Sequence, residues 1–313
     1  MTLDPLLKIP GNIVDETARH YFGSRNIIKY SIATFFSGGH LLLEDVPGVG
    51  KTTLARTIAG VLGLDAGRIQ CTPDLLPSDV VGYSVPTGSD GNFQFRKGPV
   101  FSNILLVDEI NRAAPRTQSA FLEAMEENQV TVEGETRALL KPFFVIATQN
   151  PVEIAGTYPL PESQLDRFDM RLLPGYPLPE SEMQLLKMTS SEKPHSIQTM
   201  VDNDEISQLM TLAKSIKIAD SLVEYVLKIG LFSRKSEHLR LGISPRALIS
   251  WIRIAKALAM VDGRQFVVPE DLHETAFSAL AHRMVVRQDY MGLEFSDSSE
   301  VLTSIIESVP LPL

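Results

Sequence analysis

The chain has 313 residues, 44% of them apolar, with a formal net charge of −9 and one cysteine. That length suits two domains, and a lone cysteine excludes an internal disulfide and fits a reducing compartment. The acidic balance argues against sequence-independent binding along a nucleic-acid backbone, and without a leader or an apolar run of roughly 20 residues the chain is expected to be cytoplasmic with no membrane span.

Residues 1–12 read as a loose lead-in, because Pro5, Pro10 and Gly11 interrupt regular structure. From 12 to 36 apolar residues recur at helical spacing, with a break at Phe22-Gly23-Ser24. Such a segment could close over a nucleotide base or simply pack on a sheet.

The stretch 41–53, LLLEDVPGVGKTT, orders the rest of the chain. Three leucines end a buried strand, a loop carries Gly48 and Gly50, and LARTIAGVLGL continues at helical spacing. Strand, glycine loop and helix in this order describe a phosphate-binding loop. Backbone amides of Val46, Pro47, Gly48, Val49 and Gly50, as far as each has an N–H, would curl around the phosphates together with Lys51, Thr52 and Thr53. Lys51 would reach the β- and γ-phosphates, and the Thr52 hydroxyl would ligate Mg²⁺. Asp45 stands where the full pattern has a further glycine, and a plain strand-to-helix turn is the alternative.

A short strand-like piece, RIQCT, follows, and then an apparent insertion over 80–100 with a turn at 88–91. Its Phe93 and Phe95 suit either an apolar loop tip or a return to the core. At 103–109, NILLVDE is a buried strand ending in two acids, at the edge where open α/β sheets bind ligands. Asp108 would hold Mg²⁺ through water and Glu109 would polarise an attacking water; two acids capping the next helix are the alternative. Residues 117–127 form a helix, and 129–140 alternate as a hairpin turning at Glu133-Gly134, with a tip that is acidic apart from Arg137. The strand FFVIATQNP places Asn150 one strand over from the acids, where its amide can bond a γ-phosphate or the attacking water; an Asn-Pro turn that merely ends the strand is the alternative. In PESQLDRF, Arg167 falls late in a short helix. It either pairs with Glu162 or Asp166 or reaches a neighbouring subunit's γ-phosphate.

After Tyr176-Pro177 the chain turns helical, with helices expected at 180–189, 204–216, 220–232, 245–261 and 269–282 and a last one within 301–309. Ser244 caps and Pro245 opens the fourth of these, so Arg246 projects from a first turn that disfavours cations and calls for an anion nearby. A phosphate from the other domain would supply it, and an exposed arginine with an acidic neighbour is the alternative. The domains expected are 1–176, an α/β nucleotide-binding core, and 177–313, an all-helical lid.

Taken together, LLLEDVPGVGKT, TPDLLPSD, GPVF, LLVDEINRA, TQSAFLEAMEE, ATQNP, LPESQLDRF and ISPRAL resemble the MoxR family of AAA+ ATPases over nearly the whole chain. Phe22-Gly23-Ser24 departs from the family's Val-Gly-Gln. The resemblance implies a parallel sheet flanked by helices plus a helical lid, with ATP and Mg²⁺ as ligands. It makes Thr52 and Asp108 the metal contacts, Glu109 the water-activating acid, Asn150 sensor 1, Arg167 a finger acting in trans and Arg246 sensor 2. It further implies a homo-oligomeric ring, usually a hexamer, remodelling a protein partner that bears a von Willebrand factor A domain. A magnesium-chelatase-like subunit, a nucleic-acid motor and a small-molecule kinase are the alternatives. The acidic balance counts against the motor, and the two arginines have no role in the kinase.

Overall fold

The computed structural model describes residues 5–44, 50–87, 92–150, 156–177, 179–188, 196–287 and 297–311. The lead-in is more ordered than its sequence suggests. Helix α1 (Ile9–His20) begins inside it, with Pro10 in the first turn, where the missing N–H removes no helical bond. Gly11 faces Val261, whose carbonyl would sit at an ordinary contact distance of 3.7 Å from a Cβ there. Helix α2 (Arg25–Phe36) follows, capped by Ser24, which accepts from the Asn26 amide.

The apolar runs become a five-stranded sheet. Strand β1 (Leu41–Glu44) leads into helix α3 (Lys51–Leu62), then β2 (Ala66–Gln70) and the short helix α4 (Pro77–Val81). The apparent insertion is a hairpin, β3 (Gly82–Thr87) with β4 (Asn92–Lys97); residues 88–91 of its expected turn lie outside the described residues. Strand β5 (Ile104–Asp108), helix α5 (Pro115–Glu127), the hairpin β6 (Gln129–Val132) and β7 (Glu135–Ala138), strand β8 (Phe144–Gln149), helix α6 (Glu162–Leu165) and strand β9 (Met170–Leu172) complete this half. The sheet order is β2-β5-β8-β1-β9 with every pairing parallel. Side chains alternate across it, as strand geometry requires. Leu41, Leu43, Ile104, Leu106 and Ile146 face α1, α2 and α3, whereas Leu42, Leu105, Val107 and Val145 face α5.

The two phenylalanines of the insertion part company. Phe93 is 70% exposed, whereas Phe95 packs edge-on against Phe101 at 5.8 Å under the Arg137 guanidinium. Ser84 donates to Glu133 across 2.6 Å, so the two hairpins brace each other.

The second half is helical: α7 (Pro179–Met188), α8 (Asn203–Ser215), α9 (Asp220–Lys235), α10 (Pro245–Val261), α11 (Pro269–Leu280) and α12 (Ser298–Ser308), with the small ladder β10 (Leu239–Leu241) and β11 (Val285–Val286). Among the described residues no helix is long and apolar enough to cross a membrane. The chain entering α8 runs along α3, where Met200 donates to the Val61 carbonyl (2.8 Å) and Gly60 and Gly63 leave room for Ile197 and Thr199. Helix α10 lies on α2, and Trp251, Tyr225 and Leu280 join the same apolar cluster as Ile28 and Phe36.

A buried polar knot ties the helical half to the sheet. Asp169, 7% exposed, accepts from the His40 amide (3.0 Å), from the Ser250 hydroxyl and from Arg253 (3.0 Å), with Arg283 at 3.8 Å. Burial pushes its carboxyl up, but Arg283, Ser250 and Arg253 outweigh that and hold it below the usual carboxylate range. Arg283 also donates to the carbonyls of Asp166 (3.0 Å) and Phe168 (2.8 Å). His40 Nδ1 accepts from the Val145 amide, so Nε2–H donates to the Met125 carbonyl and the ring stays neutral.

Candidate nucleotide site

At the C-terminal ends of β1, β2, β5 and β8 lies a cleft of about 380 Å³. Its walls are Gly50, Lys51, Thr52, Thr53, Arg68, Gln70, Asp108, Glu109, Thr148 and Asn150. The loop residues Val46, Pro47, Gly48 and Val49, with Asp45, lie outside the described residues. Gly50 caps α3 at φ +84, a left-handed conformation in which a side chain would be strained, so glycine is required there. Lys51 and Thr52 then occupy the first turn of α3, where free amides and the helix dipole favour an anion.

The acids stand at the cleft as the strand pattern predicts, and each is already engaged. Asp108, 7% exposed, accepts from Arg68 Nε at 2.8 Å and faces the Thr148 hydroxyl at 3.4 Å. Glu109 has φ 55, an uncommon conformation for a non-glycine residue that turns its side chain at the strand end. Its amide donates to Thr148 Oγ1 (2.9 Å), and its carboxylate accepts from Gln70 Nε2 and Arg112 Nη1, both at 3.1 Å. Asn150 is 5% exposed at the end of β8, beside β5.

Arg68, Gln70 and Thr148 are functional candidates that the motif reading missed. Arg68 and Gln70 alternate with buried Ile69 and Cys71, and Gln70 is in register with Asp108. Two polar residues at period two in the strand-like piece RIQCT were the available signal. Cys71 itself contributes nothing reactive, because burial together with Asp108 and Glu109 pushes its thiol up to about 12. One carboxylate and one hydroxyl at a phosphate cleft are the hard oxygen donors that Mg²⁺ takes from a protein while phosphates and water supply the rest. Thr52 and Asp108 therefore fit that ion.

Neither Arg167 nor Arg246 lines this cleft. Arg167 lies two residues beyond α6, and its carboxylate partner is neither Glu162 nor Asp166, the two neighbours its sequence offered. Those pair elsewhere, Glu162 with Arg240 and Asp166 with Arg283. Arg167 instead meets Glu126 Oε2 on the last turn of α5 and donates to the Leu122 carbonyl at 3.3 Å. Arg246, in the first turn of α10, takes the other oxygen of the same carboxylate, Glu126 Oε1, at 2.9 Å. The anion beside Arg246 is thus not the expected phosphate but a glutamate of the sheet-bearing half, reached across the junction, as the alternative of an exposed arginine with an acidic neighbour has it. Burial and the charge of Arg246 both pull the Arg167 guanidinium below its usual value.

Residues 40–170 match the family model for the ATPase family associated with various cellular activities (AAA), and residues 231–304 match that for the AAA lid domain. The Bacillus subtilis protein YeaC is 43% identical over 99% of this chain and 96% of its own length. Chaperone MoxR1 of Mycobacterium tuberculosis is 38% identical over 95% of this chain and 81% of its own. A crystal structure of a candidate ATPase from Cytophaga hutchinsonii superposes with a TM-score of 0.90 at 36% identity, covering 98% of this chain and 96% of that one.

Proposed function

This chain belongs to the MoxR family of AAA+ ATPases, with an AAA fold and a helical lid, and on that premise we propose that it hydrolyses ATP at sites shared between the subunits of a ring. The observation that carries the reading is the division of labour: Lys51, Thr52, Asp108, Glu109 and Asn150 line one cleft, while the two arginines share Glu126 outside it.

In this reading residues 1–176 are the nucleotide-binding core and 177–313 the lid. The first turn of α3 receives the phosphates, with Lys51 offsetting charge on the β- and γ-groups. Thr52 and Asp108 hold Mg²⁺, which, when bound, neutralises charge developing on the phosphate oxygens. Glu109 and Asn150 orient water for in-line attack on the γ-phosphorus. That phosphorus–oxygen bond forms as the bond to the bridging oxygen of ADP breaks, and Glu109 eases the water proton away. Arg167 and Arg246 belong to the neighbour's reaction. The family resemblance gives only Arg167 that role; Arg246 is assigned to the same phosphate because it shares Glu126 with Arg167 and lies outside its own chain's cleft. Across the interface such preorganised cations stabilise transition-state charge. Turnover in a ring, usually of six, then swings the lid against the core.

The work is done on a protein, as the name of the chaperone relative suggests, and the partner proposed is one bearing a von Willebrand factor A domain. The exposed Phe93 and the acidic hairpin tip suit a protein contact better than a nucleic-acid one. Steady-state ATPase rate against protein concentration, for wild type and Glu109→Gln, tests the reading. The rate per subunit should rise with assembly, and the variant should bind ATP without turning it over. A Glu109→Gln protein with wild-type turnover would overturn the assignment.

A further inference from the structure

The pairing of both arginines on one carboxylate gives Glu126 a task that its helix alone does not explain. Glu126 lies in the last turn of α5 and is 41% exposed at its side chain, with Arg167 at 28% and Arg246 at 48%, so the group lies open at the surface. The three residues come from three separate elements: the last turn of α5, the chain after α6 and the first turn of α10. Two guanidinium groups brought together repel each other, and the first turn of α10 disfavours a cation further. Glu126 offsets both effects with one oxygen for each arginine. The Leu122 carbonyl, one turn earlier in α5, sets the direction of the Arg167 guanidinium.

We propose that Glu126 is a positioning residue, which prearranges Arg167 and Arg246 as a single bidentate unit for the neighbouring subunit's γ-phosphate. This rests on the shared-site reading above. Glu126 touches no reacting atom; it acts by holding two donors in a fixed relation before the phosphate arrives. The advantage is one of preorganisation, since misplacing such groups by about 1 Å can cost on the order of 100-fold in rate. Because Arg246 rides on the lid-side helix and Glu126 on the sheet side, the same carboxylate makes the arginine pair sensitive to how the two halves sit.

The test is a double-mutant cycle on the full-length protein, with kcat and KM for ATP measured at saturating protein and oligomer mass followed in parallel. Glu126→Gln should lower kcat by roughly 10-fold or more, leave KM within about 2-fold and leave assembly intact, because geometry rather than nucleotide binding is lost. Glu126→Asp keeps the charge but is one methylene shorter, so it should restore only part of the rate. On an Arg246→Ala background, Glu126→Gln should add little, since the pair it arranges is already broken. Wild-type kcat in Glu126→Gln, or a loss that adds in full to that of Arg246→Ala, would overturn the proposal. If Arg167→Ala itself turns over at the wild-type rate, the shared-site reading falls instead, whatever Glu126→Gln does.

Discussion

Replacing Asp169 by alanine should loosen the junction between the two halves more than any surface change. The carboxylate is 7% exposed and faces Arg283, whose side chain is 1% exposed. Removing one partner of a buried ion pair costs about 3–5 kcal/mol, because the remaining charge is left without its counterion. Here two features oppose each other. Arg283 keeps its bonds to the Asp166 and Phe168 carbonyls, which softens the loss, while the buried His40 amide and the Ser250 hydroxyl lose their acceptor, which deepens it. The cost should therefore stay near about 3–5 kcal/mol. At about 2 °C per kcal/mol, the low end suited to a long chain, that is a fall of about 6–10 °C in thermal midpoint by circular dichroism. Asp169→Asn keeps an acceptor but no charge and should lose about half as much. Arg253→Gln, which breaks a pair whose arginine is 46% exposed, should cost less than about 1 kcal/mol. A midpoint shift under about 2 °C for Asp169→Ala would refute the view that this knot fastens lid to sheet.

Acid should destabilise the fold before its carboxylates titrate. His282 is buried, donates to the Phe168 carbonyl and is held by burial and Arg283 at about 3. A histidine lowered in the folded state contributes stability fully present above its unfolded value near 6.5 and lost as pH falls toward 3, at up to about 1.4 kcal/mol per unit. Denaturation midpoints should therefore drop from pH 6.5 to 4, and His282→Gln should flatten that slope; an unchanged slope in the variant counts against the assignment. Arg68→Ala removes a cation 2.8 Å from Asp108. It should lower the Mg²⁺ concentration needed for half-maximal binding of a fluorescent ATP analogue by about 2–5-fold, the worth of a partly exposed pair. A midpoint that rises instead would mean that Arg68 serves the nucleotide directly.

The sheet and the cleft at its strand ends could be read from the chain because their signals are local. Runs such as LLVDE and FVIAT record burial on both faces, and the strand–loop–helix order around Lys51 is contiguous. The lid helices were legible for the same reason, with their bounds within a few residues. The lead-in was misread because proline breaks a helix only in its interior, and Pro10 sits in the first turn. What stayed hidden are partners chosen over long separations. Apolar periodicity says which face of a strand is buried but not which charge it meets, so Arg68 on Asp108, 40 residues away, left no trace beyond its place in the strand. Glu126 looked like one more polar position on an amphipathic helix, yet it meets an arginine 120 residues on. Asp169 reaches back 129 residues to His40.

The central claim, that each active site is completed by a neighbour's arginines, is tested most directly by mixing two inactive proteins. Glu109→Gln lacks the water-activating acid but keeps Arg167 and Arg246, and Arg167→Ala keeps the acid but lacks the finger. In rings assembled from equal amounts of both, about one site in four pairs an intact acid with an intact neighbouring finger, given head-to-tail contacts. The account predicts ATPase activity recovering toward about a quarter of wild type on mixing, though each protein alone has almost none. Mixed rings that stay as inactive as their components would contradict it, since both defects would then lie in one and the same subunit's site.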